Sequence, residues 1–482
     1  MHRRRLVFIV GAVVTAAGLS MLLPAAVALI YVEHGDALAI LGSSAITVML
    51  GIAAWKAVGR SGELSAREGF AAVALSWFAV ALFGTLPYLL SGSIDGLTNA
   101  FFETAAGFTT TGSSIIPDPG VLGKGLLLWR AQTQWLGGMG IIVLGVAILP
   151  LLGVGGVELA RAESPGHSPD RLTPRFSETA KRLWWVYAAF TAVEAALLTF
   201  GEMTLFEGVA HSFTTMSTGG FGTDARSLGG FSAYSQWVVI AFMVMAGVSF
   251  ALHFRGLQDP REYARNSEFK IYLFILGAAS VFFLVGTWGG AIATTVRDSV
   301  FTAVSLVTTT GFATADFGQW AVALQIAVVG LMFLGGMAGS TAGGVKTFRL
   351  GVLTSAARND LRRIIHPRGV FVARLGKDPV ADEVVESVQS FFLFYVLLFG
   401  VGILFFGMIL SQAGSPISLG TAASAVASAL GNIGPGLGEV GPAGNYLDVP
   451  AAGKWLLSFL MIVGRLEIFP VLLLLTRELW RK

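Results

Sequence analysis

Long apolar stretches separated by short polar ones run the length of this 482-residue chain. They fall near residues 6–32, 37–58, 68–90, 125–154, 183–203, 231–253, 270–290, 320–350, 388–411 and 452–476. Most reach the roughly 20 residues that an α-helix needs to cross a hydrocarbon core of about 30 Å, so about ten membrane spans are predicted. Four shorter, semi-apolar segments interrupt the series: LTNAFFETAAGF (97–108), LFEGVAHSFTTM (205–216), VRDSVFTAVSLV (296–307) and SLGTAASAVASAL (418–430). At about 12 residues each would be roughly 18 Å long as a helix, too short to cross but suited to a re-entrant half-helix.

After two leading spans the chain repeats one rhythm four times: a span, a half-helix, a Gly/Thr-rich stretch, a returning span. Repetition on this scale decides architecture before local detail does. The prediction is an all-α polytopic membrane protein with four such units around a central pore. Residues 1–67 are the two leading transmembrane helices and 68–160 the first pore unit. Residues 161–260 are the second, 261–360 the third, with a broken second helix, and 361–482 the fourth.

The Gly/Thr-rich stretches carry the candidate chemistry. They read GFTTTGSSII (107–116), FTTMSTGGFGT (213–223), LVTTTGFATAD (306–316) and ALGNIGPGLG (429–438). Aligned on Gly112, Gly219, Gly311 and Gly434, they place Thr110-Thr111, Ser217-Thr218, Thr309-Thr310 and Asn432-Ile433 just before the glycine. Any one alone reads as an external turn, since Gly, Ser and Thr favour loops. Four at the same place in a repeat read differently, because irregular backbone within a bilayer must be buried in protein or line a water-filled path. Rings of backbone carbonyls can replace the water shell of a monovalent cation. Five residues beyond the aligned glycine lie Asp224, Asp316 and Glu439, and six beyond lies Asp118. These acids either ring an outer vestibule and concentrate cations or are solvated loop residues.

Composition narrows the alternatives. The chain is 54% hydrophobic and 13% charged and has no cysteine, so disulfides and Cys-ligated metals are excluded. Its six histidines lack ligand spacing, and no acidic dyad or phosphate-binding loop marks an enzyme. The start, MHRRRLVFIVGAVVTAAGLSMLLPAAVAL, imitates a secretory signal with Ala26-Val27-Ala28 as a cleavage site. Its apolar run is long enough to span, and it is expected to be a retained first helix. With that end inside, 25 of the 32 Lys and Arg residues fall on the cytoplasmic side and 5 outside. This bias orients both termini to the cytoplasm.

Two intramembrane features stand apart from the spans. Between Gly330 and Leu350 the apolar run is broken by Gly335, Gly336, Gly339, Gly343 and Gly344, with Ser340 and Thr341 among them and Lys346 close by. Glycine costs up to about 1 kcal/mol each within a helix, so an unwound loop is expected; close small-residue helix packing is the alternative. Arg465, in FLMIVGRLEIFPVLLLL, is costly against lipid. It either faces the pore beneath the loops or pairs with Glu467. Glu194, another intramembrane charge, receives no role.

The stretches TTTGSS, MSTGGFGT, TTTGFATADF and GNIGPGLG, with GGMAGSTAGGVKT (335–347) and GRLEIFP (464–470), resemble the TrkH-type potassium uptake proteins of the Trk/Ktr/HKT superfamily. The resemblance runs from about residue 68 to the end, and the two leading spans fit the TrkH branch better than KtrB. It implies a potassium filter at Thr111-Gly112, Thr218-Gly219, Thr310-Gly311 and Ile433-Gly434, and a gate of Arg465 and the glycine-rich loop. In the plant branch a serine in place of the first-loop glycine goes with sodium transport; the glycines here favour potassium. The resemblance further implies a homodimer in a bacterial cytoplasmic membrane. It also implies a cytosolic nucleotide-binding regulatory subunit of TrkA type, no bound cofactor, and potassium as the substrate. An ion-coupled secondary transporter with broken helices is the alternative function.

Overall fold

The computed structural model describes residues 3–58, 66–147, 174–415 and 417–480. The expected boundary at 160/161 and the basic residues Arg60, Arg161 and Arg171 lie outside them. The architecture is the predicted one, a helical polytopic membrane protein. Helices α1 (Arg3–Ser20), α2 (Leu22–Ile30) and α3 (His34–Val58) form the leading pair of spans. They dock onto the first unit through a charge at a helix start. Glu33, between α2 and α3, accepts hydrogen bonds from the backbone N–H groups of Lys124 (2.6 Å) and Gly125 (2.9 Å). These belong to the first turn of α7 (Lys124–Ala147), where orphan donors and the helix dipole both favour an anion.

The first unit begins with α4 (Ala66–Phe83) and α5 (Leu86–Ser91). Its half-helix, α6 (Leu97–Phe108), matches the predicted limits, as does α9 (Leu205–Met216) in the second unit. In the third unit α14 begins earlier than expected (Ile292–Val307), and in the fourth the half-helix is α18 (Leu419–Gly431). Two start on sequence signals: α9 on a Thr204–Glu207 capping box and α18 on Ser418, whose hydroxyl accepts from the Thr421 N–H. Each half-helix is wedged between the spans of its own unit. These are α4 and α7 in the first and α8 (Pro174–Phe200) and α10 (Ala233–Ala246) in the second. The third uses α13 (Ser267–Gly286) and α15 (Val322–Leu331), and the fourth α17 (Asp382–Gln412) and α19 (Ala451–Arg465). Neighbouring units interlock in rotation, since α9 also packs on α7, α14 on α10, and α6 on α19.

Among the described residues six helices are long and apolar enough to cross a membrane, or eight if each bent pair is one span. Two of the expected continuous spans are broken, and the break expected in the third unit is present. Residues 231–253 divide into α10 and α11 (Phe250–Gly256), bent by 99°. Residues 452–476 divide into α19 and α20 (Phe469–Leu475), bent by 119°. Within 320–350 helix α15 stops at Leu331 and α16 (Thr347–Ile365) starts only after an irregular segment. Pro470 and the positive φ of Glu467 and Ile468 (56° and 66°) end α19; such a backbone at a β-branched residue is strained. Periodicity missed the first two breaks because residues 247–249 and 465–468 each lie inside a run whose average stays apolar enough to span. A short helix, α12 (Arg261–Arg265), links α11 to α13, and α21 (Arg477–Trp480) follows α20. The only strands among the described residues are β1 (Arg374–Leu375) and β2 (Asp378–Pro379), an antiparallel hairpin after α16.

Replacing Glu33 by Ala should cost about 1 kcal/mol by uncapping α7. A fall of a few degrees in thermal unfolding in detergent would register it; an unchanged midpoint would mean that Glu33 does not hold the leading helices.

Candidate ion pathway

The four Gly/Thr-rich stretches share one backbone trace. At the C-terminal end of each half-helix a non-glycine residue turns left-handed: Thr110 (φ 52°), Thr218 (54°), Thr309 (56°) and Asn432 (56°). Two residues on, a glycine is also at positive φ: Gly112 (82°), Gly220 (77°), Gly311 (79°) and Gly434 (116°). Structural register therefore differs from the sequence alignment in the second unit. Gly220, not Gly219, is the counterpart of Gly112, and Gly219 takes the place of Thr111, Thr310 and Ile433. Ser217 falls opposite Thr109, one position outside the site it was expected to fill. Both residues of the Gly219-Gly220 pair satisfy a composition rule, and only φ tells them apart.

The N–H groups of these stretches point back into their own half-helices. Those of Thr111 and Gly112 reach the Ala106 carbonyl, Gly219 and Gly220 reach Thr214, and Thr310 and Gly311 reach Ser305. In the fourth unit the Ile433 N–H reaches the Ser428 carbonyl and the Gly434 N–H the Ser428 hydroxyl. With the donors turned outward, the carbonyls are left facing the other way. Among the described residues none donates a hydrogen bond to the carbonyls of Thr110, Thr111, Thr309, Thr310, Asn432 or Ile433.

Three of those carbonyls, with that of Gly219, meet in a closed cycle. A Cβ on Gly112 would strike the Gly219 carbonyl oxygen, one on Gly220 that of Thr310, and one on Gly311 that of Ile433. On Gly434 it would lie 2.8 Å from that of Thr111. Each unit thus leans on the next and the fourth returns to the first, which puts the oxygens of Thr111, Gly219, Thr310 and Ile433 around one axis. The four positive-φ glycines also line a single cavity of about 100 Å³.

The hydroxyls do a different job from the one their repetition suggested. Thr109 and Thr111 share a hydrogen bond (2.7 Å), as do Thr308 and Thr310 (2.8 Å). Asn432 Nδ2 donates to the Thr111 hydroxyl (3.0 Å) and to the Met461 carbonyl. These side chains brace the backbone from outside.

Beneath the cycle lies the glycine-rich segment, non-helical from Phe333 to Lys346. It is pinned on every side. The Gly343 N–H donates to the Thr309 hydroxyl (2.7 Å). Thr341 Oγ1 donates to the Met216 and Ala246 carbonyls. Where α10 breaks, the Met337 N–H takes the Gly247 carbonyl and the Phe250 N–H the Gly339 carbonyl. Arg465, buried at the end of α19, donates to the Thr341 carbonyl (2.6 Å) and to the Gly137 carbonyl of α7 (3.2 Å). It therefore straps the loop to the first unit and makes no ion pair with Glu467, which binds Arg349 of α16 instead. Lys346 Nζ donates to the Ala342 carbonyl (2.6 Å). Glu268, at the start of α13, accepts the N–H groups of Ala338 and Phe348 and so ties both ends of the segment. Small residues are needed because the segment crosses other backbones: a Cβ on Gly336 would strike the Gly247 carbonyl, and one on Gly343 that of Gly431.

The four acids do not form an even ring. Of the four, only Asp224 lines the cavity beside the glycines. Asp118 and Asp316 each cap a short 3₁₀ turn by accepting the N–H of Gly120 and Gly318, and Glu439 accepts from the Thr421 hydroxyl. Burial pushes the Asp224 carboxyl up, but hydrogen bonds and charge from Arg226 outweigh it and hold the group below its ordinary value. Glu194 is buried on α8, and neither of its oxygens has a hydrogen-bond partner among the described residues.

One buried pair escaped the sequence reading. Arg130 of α7 donates to Glu103 of α6 at 2.6 Å and to the Gly222 carbonyl at 2.9 Å, and both side chains are at most 3% exposed. Glu103 also takes the Ser114 hydroxyl and the Ile115 N–H. Gln134, one turn along from Arg130, holds the Gly219 carbonyl and the Phe221 N–H. The cue was a lone glutamate inside an apolar half-helix, facing Arg and Gln spaced four apart on the returning span.

Glu103→Ala would leave Arg130 buried without its partner, at a cost of about 3–5 kcal/mol. Loss of folded protein, or a large drop in unfolding temperature, is expected in detergent, and Glu103→Gln should lose less. Wild-type stability in Glu103→Ala would show that the pair does not hold the first two loops.

Comparison with known proteins gives concordant matches. Residues 37–285 and 289–481 match the TrkH family, described as cation transport protein. The Trk system potassium uptake protein TrkH of Vibrio parahaemolyticus is 38% identical, with all of both chains covered. That of Escherichia coli K12 is 37% identical with the same coverage. TrkI of Halomonas elongata is 38% identical over 94% of this chain and 92% of its own. The crystal structure of the potassium transporter TrkH from Vibrio parahaemolyticus superposes with a TM-score of 0.91 at 35% identity, covering both chains fully.

Proposed function

This chain belongs to the TrkH family of cation transport proteins, and from that premise we propose that it takes up potassium through a pore built from its four repeated units. The observation that carries the reading is the closed cycle of glycine-to-carbonyl contacts among Gly112, Gly220, Gly311 and Gly434. A potassium ion sheds water only where oxygens replace it at similar cost; the carbonyls of Thr111, Thr310 and Ile433 have no other donor among the described residues, and that of Gly219 also accepts from Gln134. The filter comprises Thr110, Thr111 and Gly112; Thr218, Gly219 and Gly220; Thr309, Thr310 and Gly311; and Asn432, Ile433 and Gly434. Half-helices α6, α9, α14 and α18 end at the filter with their C-termini. The partial negative charge at those ends favours a cation beneath it.

The gate is the segment Gly335–Lys346 with Arg465. A fixed guanidinium under a cation filter opposes passage, and its two carbonyl contacts hold the loop across the path. Opening requires those contacts to break together, which suits a two-state switch. At the mouth Asp224 attracts the ion, with Asp118, Asp316 and Glu439 acting at longer range. The chain works in the bacterial cytoplasmic membrane with both termini inside, on the charge bias of its loops. Relatives that match along the whole chain are named as Trk system proteins, which supports association with other Trk components; the proposal adds, from the resemblance of the sequence, a homodimer with a cytosolic TrkA-type subunit.

Rubidium flux into proteoliposomes, with and without proton or sodium gradients, tests the reading. Flux that follows the rubidium gradient alone is expected; absence of flux, or an absolute need for a second gradient, overturns the pore. Gly220→Ser and Gly112→Ser should each lower the preference for rubidium over sodium by about tenfold, since any Cβ displaces a neighbouring carbonyl. An unaltered preference in either variant would remove that glycine from the filter. Arg465→Ala should raise rubidium flux severalfold, and folded variant protein with wild-type flux would take Arg465 out of the gate.

A further inference from the structure

A second concave site lies at the far end of the helix that leaves the gate loop. Helix α16, the β1–β2 hairpin and the first turns of α13 enclose a cavity of about 690 Å³. Three guanidinium groups line it: Arg358 and Arg362, one turn apart on α16, and Arg374 of β1. All three are exposed, and among the described residues none has an acidic partner. Nearby arginines differ, since Arg363 pairs with Asp360, Arg265 with Asp259 and Glu262, and Arg255 with Glu262. Like charges drawn together in a hollow without counter-charges repel one another unless an anion joins them. Forked guanidinium donors match phosphate oxygens in pairs.

The surroundings say which phosphate. Ile271, in the first turns of the membrane span α13, forms part of the wall, so the cavity sits where a span leaves the bilayer. Leu361, Ile364, Ile365 and Val370 are 65%, 77%, 71% and 93% exposed beside it. A soluble anion has no use for such apolar side chains, whereas lipid chains cover them. Basic residues next to a span on the Lys/Arg-rich side also face the anionic leaflet.

The same elements hold the loop. Glu268, in the first turn of α13, ties Ala338 and Phe348, and Arg349 of α16 pairs with Glu467. The Arg374 N–H donates to Ser355 of α16 (2.9 Å). A ligand bridging α16 to the hairpin therefore fixes the frame on which the loop hangs. We propose that Arg358, Arg362 and Arg374 bind the phosphate headgroup of an anionic membrane lipid, and that occupancy sets the position of the loop through α16 and α13. The binding stands independently of the pore; its effect on the loop rests on the gate described above.

The test uses the full chain, delipidated in detergent and titrated with phosphatidylglycerol, phosphatidylcholine or ATP under native mass spectrometry. Wild-type protein should retain phosphatidylglycerol over phosphatidylcholine. The triple variant Arg358→Gln/Arg362→Gln/Arg374→Gln should lose that retention by about tenfold, and Arg363→Gln, whose side chain is already paired, should not. Equal retention in the triple variant overturns the site. Binding of ATP with no preference for phosphatidylglycerol assigns the pocket to a soluble phosphate and overturns the lipid. A triple variant that keeps the lipid but loses a cytosolic protein copurifying with the wild type makes the face a protein dock, and also overturns it. In liposomes, adding phosphatidylglycerol should change wild-type rubidium flux but not that of the triple variant. Equal lipid dependence in both breaks the link to the loop while leaving the binding result intact. Absence of rubidium flux from both, in any lipid, would count against the pore alone.

Discussion

A glycine lets one backbone lie directly on another, and in this protein four such contacts close on themselves. Gly112, Gly220, Gly311 and Gly434 each face a carbonyl of the adjoining unit, so none of the four loops can shift without moving the next. The rest of the structure serves that constraint. Half-helices absorb the N–H groups that irregular backbone would otherwise leave unpaired in an apolar medium. Threonine and asparagine side chains brace the loops from behind, and Glu103 with Arg130 locks the first loop to the second at the outer face.

Below the cycle the same problem is solved differently. The segment around Gly335–Gly344 has no helix to satisfy it, so its polar groups are met one at a time by neighbours from several units. Thr309, Gly247, Glu268 and Arg465 each take one or two of them. Breaks in α10/α11 and α19/α20 supply part of this, because a bent span exposes backbone groups that a continuous one would consume internally. Such a junction holds charges and strained residues (Glu467 and Ile468 at positive φ) in a small volume. Packed cores have few intermediate arrangements, and an element pinned this way tends to be either held or released.

Much of this was legible in the chain. Half-helices α6 and α9 lie where a shortened apolar segment precedes a Gly/Thr-rich stretch, because length against bilayer thickness is a property of sequence alone. The unwound loop was legible for a similar reason: five glycines in ten residues leave little helix propensity. The second unit's register was not, since either glycine of Gly219-Gly220 can adopt positive φ and local preference does not choose between them. Nor were the roles of the acids: Asp316 shares its offset with Asp224, and Asp118 lies one residue further on, yet both are spent on capping their own turns.

Apolar length, repeat spacing, glycine content and the sidedness of charge are sums over neighbouring residues, and the sequence by itself determined the membrane class, the four units and the loops that matter. Which carbonyl meets which glycine, that Glu467 takes Arg349 and leaves Arg465 to the Thr341 and Gly137 carbonyls, and that Glu103 finds Arg130 depend on residues far apart in the chain. Those pairings are fixed only when the helices pack, because a buried polar group takes whichever partner the packing brings within hydrogen-bond reach.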